Sequence, residues 1–319
     1  MKCEAFMFSK NILKPKTLRL GDTVSLVSVS SPVPEDVIEA SRDYLLSLGL
    51  NVVVGKNVGK RFGYMAGTIQ DRIHDLHTAF YDENISAIFC AYGGTSSNQI
   101  LPYIDYSLIR KNNKIFMGLS DSSSISLAIY AKSNCISFHG PTGYNFGQEG
   151  MSAYTEKYFK KVLFSSDPLG TIETDNDWVA IKKGFAEGEV IGANLSIIQS
   201  LIGTPFEPDW RKKILFWEDL FMEYHTIDLI LTQLKIAGIL HQIAGMVIGK
   251  LVECKEEEYE TDETFEEIIS RICQDSNFPI LSNVNLGHTK DKISIPIGTR
   301  AKLLVGETIN FEFTESATQ

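Results

Sequence analysis

The sequence predicts an α/β protein. Its first half is a mostly parallel sheet covered by helices, and its second half is mixed and β-rich towards the C-terminal end. Three observations carry this. Short apolar, β-branched runs alternate with helical periodicity up to about residue 150, the pattern of repeated β–α units. Residues 165–190 then bring Gly, Pro and charges together and read as a connector with short extended pieces, followed by shorter mixed elements. Finally, 319 residues suit two domains of roughly 150 residues better than one. The expected division is residues 1–165, a connector at 166–186, and residues 187–319.

In chain order, Thr23–Ser28 (TVSLVS) is a β-branched strand ended by the Ser-Ser-Pro-Val-Pro run. Pro34 opens a helical stretch in which Val37, Ser41, Tyr44 and Leu48 share a face, Ile38 and Leu45 lie beside them, and Gly49 closes the C-terminus. Asn51–Gly55 reads as a strand, Asp71–Asp82 as a helix, and Ile85–Tyr92 as an apolar strand ending at Gly93-Gly94. Leu101–Arg110 reads as a short helix, Lys114–Gly118 as a strand and Ser122–Lys132 as a helix. In such sheets ligands gather at the C-terminal strand ends. Further on, helices are expected at Asn194–Leu201, Thr226–Gly238 and Phe265–Gln274, and strands at Ile214–Glu218 and Ala244–Leu251. Lys255–Glu263 reads as an acidic, solvated loop. Pro279–Leu286, Ile293–Pro296, Ala301–Val305 and Thr308–Phe313 are short extended runs.

Composition narrows the function classes. The 44% apolar share excludes a wholly disordered chain. Asp plus Glu outnumber Lys plus Arg by 40 to 30, a net charge of −10, and there is no long basic run, which argues against a nucleic-acid partner. The cysteines Cys3, Cys90, Cys135, Cys254 and Cys273 are odd in number with no CxxC pair, so neither a disulfide framework nor a zinc ribbon is expected. Neither GxGxxG nor GxxxxGK[ST] occurs, so no dinucleotide or P-loop cofactor is expected. No stretch nears the ~20 apolar residues of a membrane span, and the apolar run at the N-terminus is too short for a secretory signal. The reading is a cytoplasmic, water-soluble protein with no membrane partner, cofactor or metal.

Chemistry concentrates at strand ends. Gly118-Leu119-Ser120-Asp121-Ser122 follows an apolar strand and opens a helix, one residue away from the GxSxG nucleophile elbow. A sharp turn there lifts the Ser120 hydroxyl clear of the sheet, and the Asp121 N–H becomes an oxyanion donor. The alternative is that Asp121 and Ser122 simply cap the helix. Gly93-Gly94 lets backbone approach a ligand, so the Gly94 N–H is a second donor, or the pair is an ordinary turn. A serine nucleophile needs a base and the base an orienter. His74 and His77 lie on a helix without a third ligand and read as surface residues; His139 opens a His-Gly-Pro turn. His288 follows a strand and Gly287, and Glu218 ends the strand ILFWE. Ser120, Glu218 and His288 thus give a nucleophile, acid and base in α/β-hydrolase order, each at a strand end.

Taken in sequence, several short motifs are specific. They are LRLGD at 18–22, GYMAGT at 63–68 with Asp71-Arg72, YGG at 92–94, GLSDS at 118–122 and HGP at 139–141. GANL at 192–195, GTPF at 203–206, FWED at 216–219, AGMVIG at 244–249 and NLGHT at 285–289 complete the set. The chain resembles the LD-carboxypeptidase family of serine peptidases, which also contains the microcin C self-immunity peptidases. The resemblance spans about residues 17–310. It implies a Rossmann-like N-terminal domain joined to a smaller β-rich C-terminal domain, with a triad assembled across the two and, commonly, a homodimer. Position by position it implies Ser120 as nucleophile, Glu218 as acid and His288 as base, with the backbone N–H groups of Gly94 and Asp121 as the oxyanion hole.

Two departures flank the site. The run Gly93-Gly94-Thr95-Ser96 stands where the family usually has Gly-Tyr-Gly, and Leu119 stands where it usually has Tyr. Both bear on substrate preference. The stretch at 158–170 leans towards the microcin-immunity branch, and Trp178 either stacks on an aromatic ligand or packs the connector. The implied activity is metal-independent hydrolysis of the amide bond to a C-terminal D-amino acid, as in murein tetrapeptides, with peptidyl or aminoacyl nucleotides as the alternative substrate. A catalytically silent small-ligand binding protein and an α/β-hydrolase esterase are the rivals. An anionic peptide entering an acidic protein calls for a basic side chain in the cleft.

Overall fold

The structure is a computed structural model that describes residues 12–174, 177–255 and 263–319. The first half builds the expected β–α units: β1 (Thr23–Val27), α1 (Glu35–Ser47), β2 (Asn51–Val54), α2 (Ile69–Tyr81), β3 (Ile85–Cys90), α3 (Tyr106–Lys111), β4 (Ile115–Gly118), α4 (Ser123–Ser133), β5 (Ser137–His139) and α5 (Ala153–Leu163). β1 to β5 lie parallel in the order β5-β4-β3-β1-β2. The second half begins with β6 (Gly170–Thr171), β7 (Val179–Lys182), β8 (Gly184–Asn194), α6 (Leu195–Leu201), β9 (Ile214–Glu218) and α7 (Tyr224–Ile236). It continues with β10 (Gly245–Gly249), α8 (Phe265–Ile272), β11 (Ile280–Val284), β12 (Ile295–Ile297), β13 (Arg300–Val305) and β14 (Asn310–Phe313). The protein is α/β with a parallel-strand sheet and a second, β-rich sheet.

The second sheet runs β6-β14-β13-β8-β9-β10-β11-β7, with β8 to β11 parallel and the outer pairs antiparallel. The eleven-residue β8 joins its two parts. Gly184–Glu189 pairs antiparallel with β13, and Val190–Asn194 pairs parallel with β9. β12 follows β11 in sequence yet leaves this sheet, pairing antiparallel with β5 on the edge of the first, Ile295 opposite His139.

Local differences from the sequence expectations have identifiable causes. α2 begins earlier than Asp71 because Thr68 and Asp71 form a reciprocal capping box. The expected helix over Leu101–Arg110 is two pieces: a 3-10 turn at Ser97–Tyr103 containing Pro102, then α3, capped by the Asp105 carboxylate on Ser107 and Leu108 N–H. The connector contains two short strands and the start of β8, so it is more ordered than its Gly and charge content suggests. Most of the expected acidic loop lies outside the described residues. α1 buries Val37, Ile38, Ser41 and Leu45 as the periodicity indicates, and Gly49 takes φ +78° just past its end.

The core is continuous across both sheets. α4 is buried on nearly every side, which explains its run of Ser, Ile, Ala and Leu without a polar face. It packs on β4 and β5 of its own sheet and on β8 and α6 of the other, so the helix after Ser120 is also the contact between the two halves. None of the described helices is long and apolar enough to cross a membrane. Phe138 is fully buried on β5, between β4 and β12. Phe138→Ala will lower the free energy of unfolding by about 3–5 kcal/mol in urea denaturation.

Candidate active site

Ser120 sits where β4 turns into α4. Leu119 is extended, Ser120 takes φ +63°, and a 3-10 turn over Ser120–Ser122 leads into the helix. A left-handed conformation is sparsely populated for a residue with a side chain, and it persists here because the flanking strand and buried helix hold it. The result is the strained elbow that the near-GxSxG pattern indicates. Gly93 has to be small, since a Cβ there would lie 2.9 Å from Ser120 Cβ.

Asp121 and Ser122 do not cap α4. The Asp121 carboxylate instead accepts from Ser96 N–H at 2.8 Å, Ser97 N–H at 2.7 Å and the Ser30 hydroxyl, tying two loops to the elbow. Ser122 Oγ donates back to Leu119 O at 2.9 Å. Arg72, 1% exposed, braces the same loops from α2 through Val29 O, Ser96 O and Gln99 Oε1. Gly94, at φ +145°, lies beside Ser120, and any side chain there would run into the hydroxyls of Ser30 and Ser31.

Glu218, the last residue of β9, is fully buried. Its Oε2 accepts from His288 Nδ1 at 2.9 Å and from His288 N–H at 3.3 Å. Gly287 makes this approach possible: it takes φ +88°, and a Cβ would overlap the Glu218 carboxylate. With Nδ1–H given to Glu218, the neutral imidazole keeps Nε2 as its acceptor. Burial opposes the charged imidazolium, but the Glu218 charge, its hydrogen bond and the Asp219 charge outweigh burial and hold the pKa of His288 above the ordinary value.

Ser120 and His288 line one cavity of about 340 Å³, with Tyr92, Gly94, Leu119, Tyr144, Glu149 and Phe221 among its walls. Ser120 Oγ makes no hydrogen bond with His288, a contact that in serine hydrolases often closes only around a reacting group. A second lobe of about 330 Å³ shares Gly94, Ser120 and Leu220 with the first and is walled by Thr95, Asn98, Asn194, Ser196 and Asp219. The structure therefore brings Ser120, His288, Gly94 and Asp121 to one cleft, with Glu218 behind His288.

The expected basic side chain is not there: among the described residues no Lys or Arg lines either lobe. Lys292 is near but buried, 2% exposed, with Nζ 3.1 Å from Glu149 Oε2. His139 is fully buried, bonded through Nδ1 to Ser123 Oγ at 3.0 Å. Burial, then the charges of His288 and Lys292, push its pKa down to about 3, so it is a neutral packing residue. His77 Nε2 accepts from Asp105 N–H at 2.9 Å, and neither His74 nor His77 reaches the cleft. Trp178 is buried in the connector, away from both lobes. Glu149, Lys292, Tyr144 and Phe221 were not legible as site residues, because no spacing rule marks an irregular turn or a buried lysine that follows a loop.

Comparison with known proteins adds an independent line. Residues 24–140 match the LD-carboxypeptidase N-terminal domain and residues 187–303 the LD-carboxypeptidase C-terminal domain. The chain is 35% identical over 302 residues to a probable murein peptide carboxypeptidase of Bacillus subtilis (strain 168), covering 94% of each chain. Its structure superposes on the microcin C7 self-immunity protein MccF in complex with aspartyl sulfamoyl adenosine, with a TM-score of 0.89, 25% identity, and 96% and 100% of the two chains covered. It also superposes on the muramoyltetrapeptide carboxypeptidase of Oxalobacter formigenes, with a TM-score of 0.83, 26% identity, and 92% and 99% covered.

The His288 pKa is open to direct measurement. A histidine stabilised in its charged form adds stability below its unfolded pKa and loses it as pH rises through the folded value. NMR titration of the His288 ring will give a midpoint above 6.5, and Glu218→Gln will lower it.

Proposed function

The chain belongs to the LD-carboxypeptidase family of serine peptidases, and from that premise we propose that it hydrolyses the amide bond between an L-centre and a C-terminal D-amino acid, as in murein tetrapeptides. The observation that carries the reading is the Glu218–His288 pair, buried behind a cleft whose far wall is the strained Ser120.

In the proposed mechanism His288 Nε2 takes the Ser120 proton as Oγ attacks the scissile carbonyl. Glu218 fixes the tautomer and balances the imidazolium that forms, which suits a carboxylate held 2.9 Å from Nδ1. The oxyanion is received by the N–H groups of Gly94 and Asp121, each such donor being worth about 3 kcal/mol in comparable sites. His288 then returns its proton to the leaving amine, and water, activated by the same base, releases the acyl group from Ser120. The nucleophile comes from residues 1–165 and the acid and base from residues 187–319, so neither half is expected to work alone. The second lobe offers a terminal carboxylate Asn and Ser side chains but no guanidinium, and Asp121 and Asp219 share its lining.

The second reading is hydrolysis of a peptidyl or aminoacyl nucleotide, favoured by the 0.89 TM-score to a self-immunity protein with a bound aspartyl sulfamoyl nucleotide. Assay of both substrate classes separates the two. On either substrate Ser120→Ala will lower kcat by at least about 10⁴-fold. Retained turnover in that variant rejects the nucleophile, and turnover of neither substrate by the native protein rejects the function. Because His288 acts as a base only when neutral, kcat/KM will rise with pH along an acid limb centred above 6.5. Glu218→Gln will move that limb to lower pH while reducing kcat, by about 10⁴-fold in the comparable Asp-to-Asn case.

A further inference from the structure

His288 stands on a loop that leaves one sheet and enters the other. β11 ends at Val284 in the second sheet, and β12 pairs into the first from Ile295 onwards. The crossing is closed on itself by Ile293 N–H, which donates to Asn285 O at 2.8 Å. Glu218 holds the imidazole from the second half, whereas Ser120 belongs to the first. The separation of Ser120 and His288 therefore depends on whatever fastens this loop to the first half.

Two contacts do so. Thr155, buried on the first turn of α5, donates its hydroxyl to Lys290 O at 3.0 Å and accepts Lys292 N–H at 3.0 Å. One side chain of the first half thus takes both a carbonyl and an amide of the loop. Ser152, the cap of α5, backs it by donating to Thr155 Oγ1 at 3.0 Å. Asp291 is exposed at the tip, and Lys292 then turns inward to put Nζ 3.1 Å from Glu149 Oε2. Glu149 is bonded in turn to Asn145, whose Oδ1 accepts from Thr142 N–H at 2.8 Å. Lys292 Nζ makes no other hydrogen bond among the described residues. Burying an ammonium is unfavourable unless it is paired, so a lysine placed here for packing alone would be served as well by an apolar side chain. Its charge also acts on His288, as do those of Glu218 and Asp219 from the end of β9, and His139 on β5 feels both His288 and Lys292. The lysine opposes the imidazolium that the two carboxylates favour.

We propose that Thr155 and Lys292 are positioning residues: with Glu149 they latch the His288 loop to the first half and so set how His288 meets Ser120. The effect on rate rests on the peptidase reading above, whereas the latch itself is measured without substrate. Thr155→Val keeps the size of the side chain and removes the hydroxyl. In amide hydrogen exchange, measured relative to the amides of β3, the Lys292 N–H of that variant will exchange at least about tenfold faster than in the native protein. On the substrate that the native protein turns over, Thr155→Val will lower kcat by at least about tenfold with KM within about threefold, since a misplacement near 1 Å costs up to about 10²-fold. Thr155→Ser, which keeps the hydroxyl, will restore kcat to within about threefold. Lys292→Met is the second variant and decides the matter where Thr155→Val does not fold. It replaces a buried charge by an apolar side chain of similar length and leaves Glu149, about one quarter exposed, to solvent. It will lower kcat in the same way, and in NMR titration the midpoint of the His288 ring will rise by at least about 0.3 pH unit, a change that packing alone does not produce. An unchanged Lys292 exchange ratio in Thr155→Val, or a His288 midpoint that stays or falls in Lys292→Met, overturns the latch. Native kcat in either variant overturns the positioning role and leaves the peptidase reading intact. Turnover of neither substrate class by the native protein rejects the peptidase reading, and exchange and titration then decide the latch.

Discussion

The site depends on one buried charge. Glu218 has no exposed surface, and its hydrogen bonds among the described residues both come from His288. An ionised carboxylate without solvent needs a partner, and removing that partner costs about 3–5 kcal/mol. The geometry around Glu218 is therefore constrained from several sides. Gly249 and Gly287 leave the room it occupies, β9 delivers it at the strand end, and the loop after β11 has to bring His288 back over it. The pairing that relieves the buried charge also selects the imidazole tautomer that leaves Nε2 as acceptor, so the stability requirement and the orientation of the ring are met by a single contact.

A second constraint acts on Ser120. Asp121 is held by three donors from two loops, and Arg72 is bonded into the same loops from α2. The elbow is thus braced by the Asp121 carboxylate and, behind it, by Arg72, which lines neither lobe. This is why Ser120 can keep a backbone conformation that a free loop would relax, and the loop that carries Gly94 is tied to the elbow by the same bonds, through Ser96 and Ser97. α4 carries the arrangement across the boundary, since it packs on both sheets, between the half that holds Ser120 and the half that holds Glu218 and His288.

Much of this was legible in the sequence. Alternating apolar strands and helices predicted the parallel sheet because burial on both faces writes a continuous apolar run, as in ISAIFCAY. The glycines before Ser120 and His288 were legible because tight turns accept few residues. Two things were not. The place of β12 was hidden because three residues of Ile and Pro carry no mark of which sheet they join. The cation expected in the cleft was inferred from net charge, which is blind to position: a lysine is nearby, yet Lys292 is buried and paired with Glu149 and does not line either lobe. Glu149 itself falls in an irregular turn at Asn145–Glu149, where periodicity has nothing to report.

The return of β12 to the first sheet has a consequence for how the protein is made. The chain emerges from the ribosome N-terminus first, and domains generally fold in that order. Here the edge of the first sheet stays open at β5 until residues 295–297 have been synthesised, because Ile295 closes against His139. Such distant pairing slows folding and leaves a strand edge unguarded meanwhile. The nascent first half is therefore the aggregation-prone species on the way to the native fold. The strand that closes it follows His288 by only a few residues, so sealing the edge and delivering His288 to Glu218 are nearly the same event during synthesis.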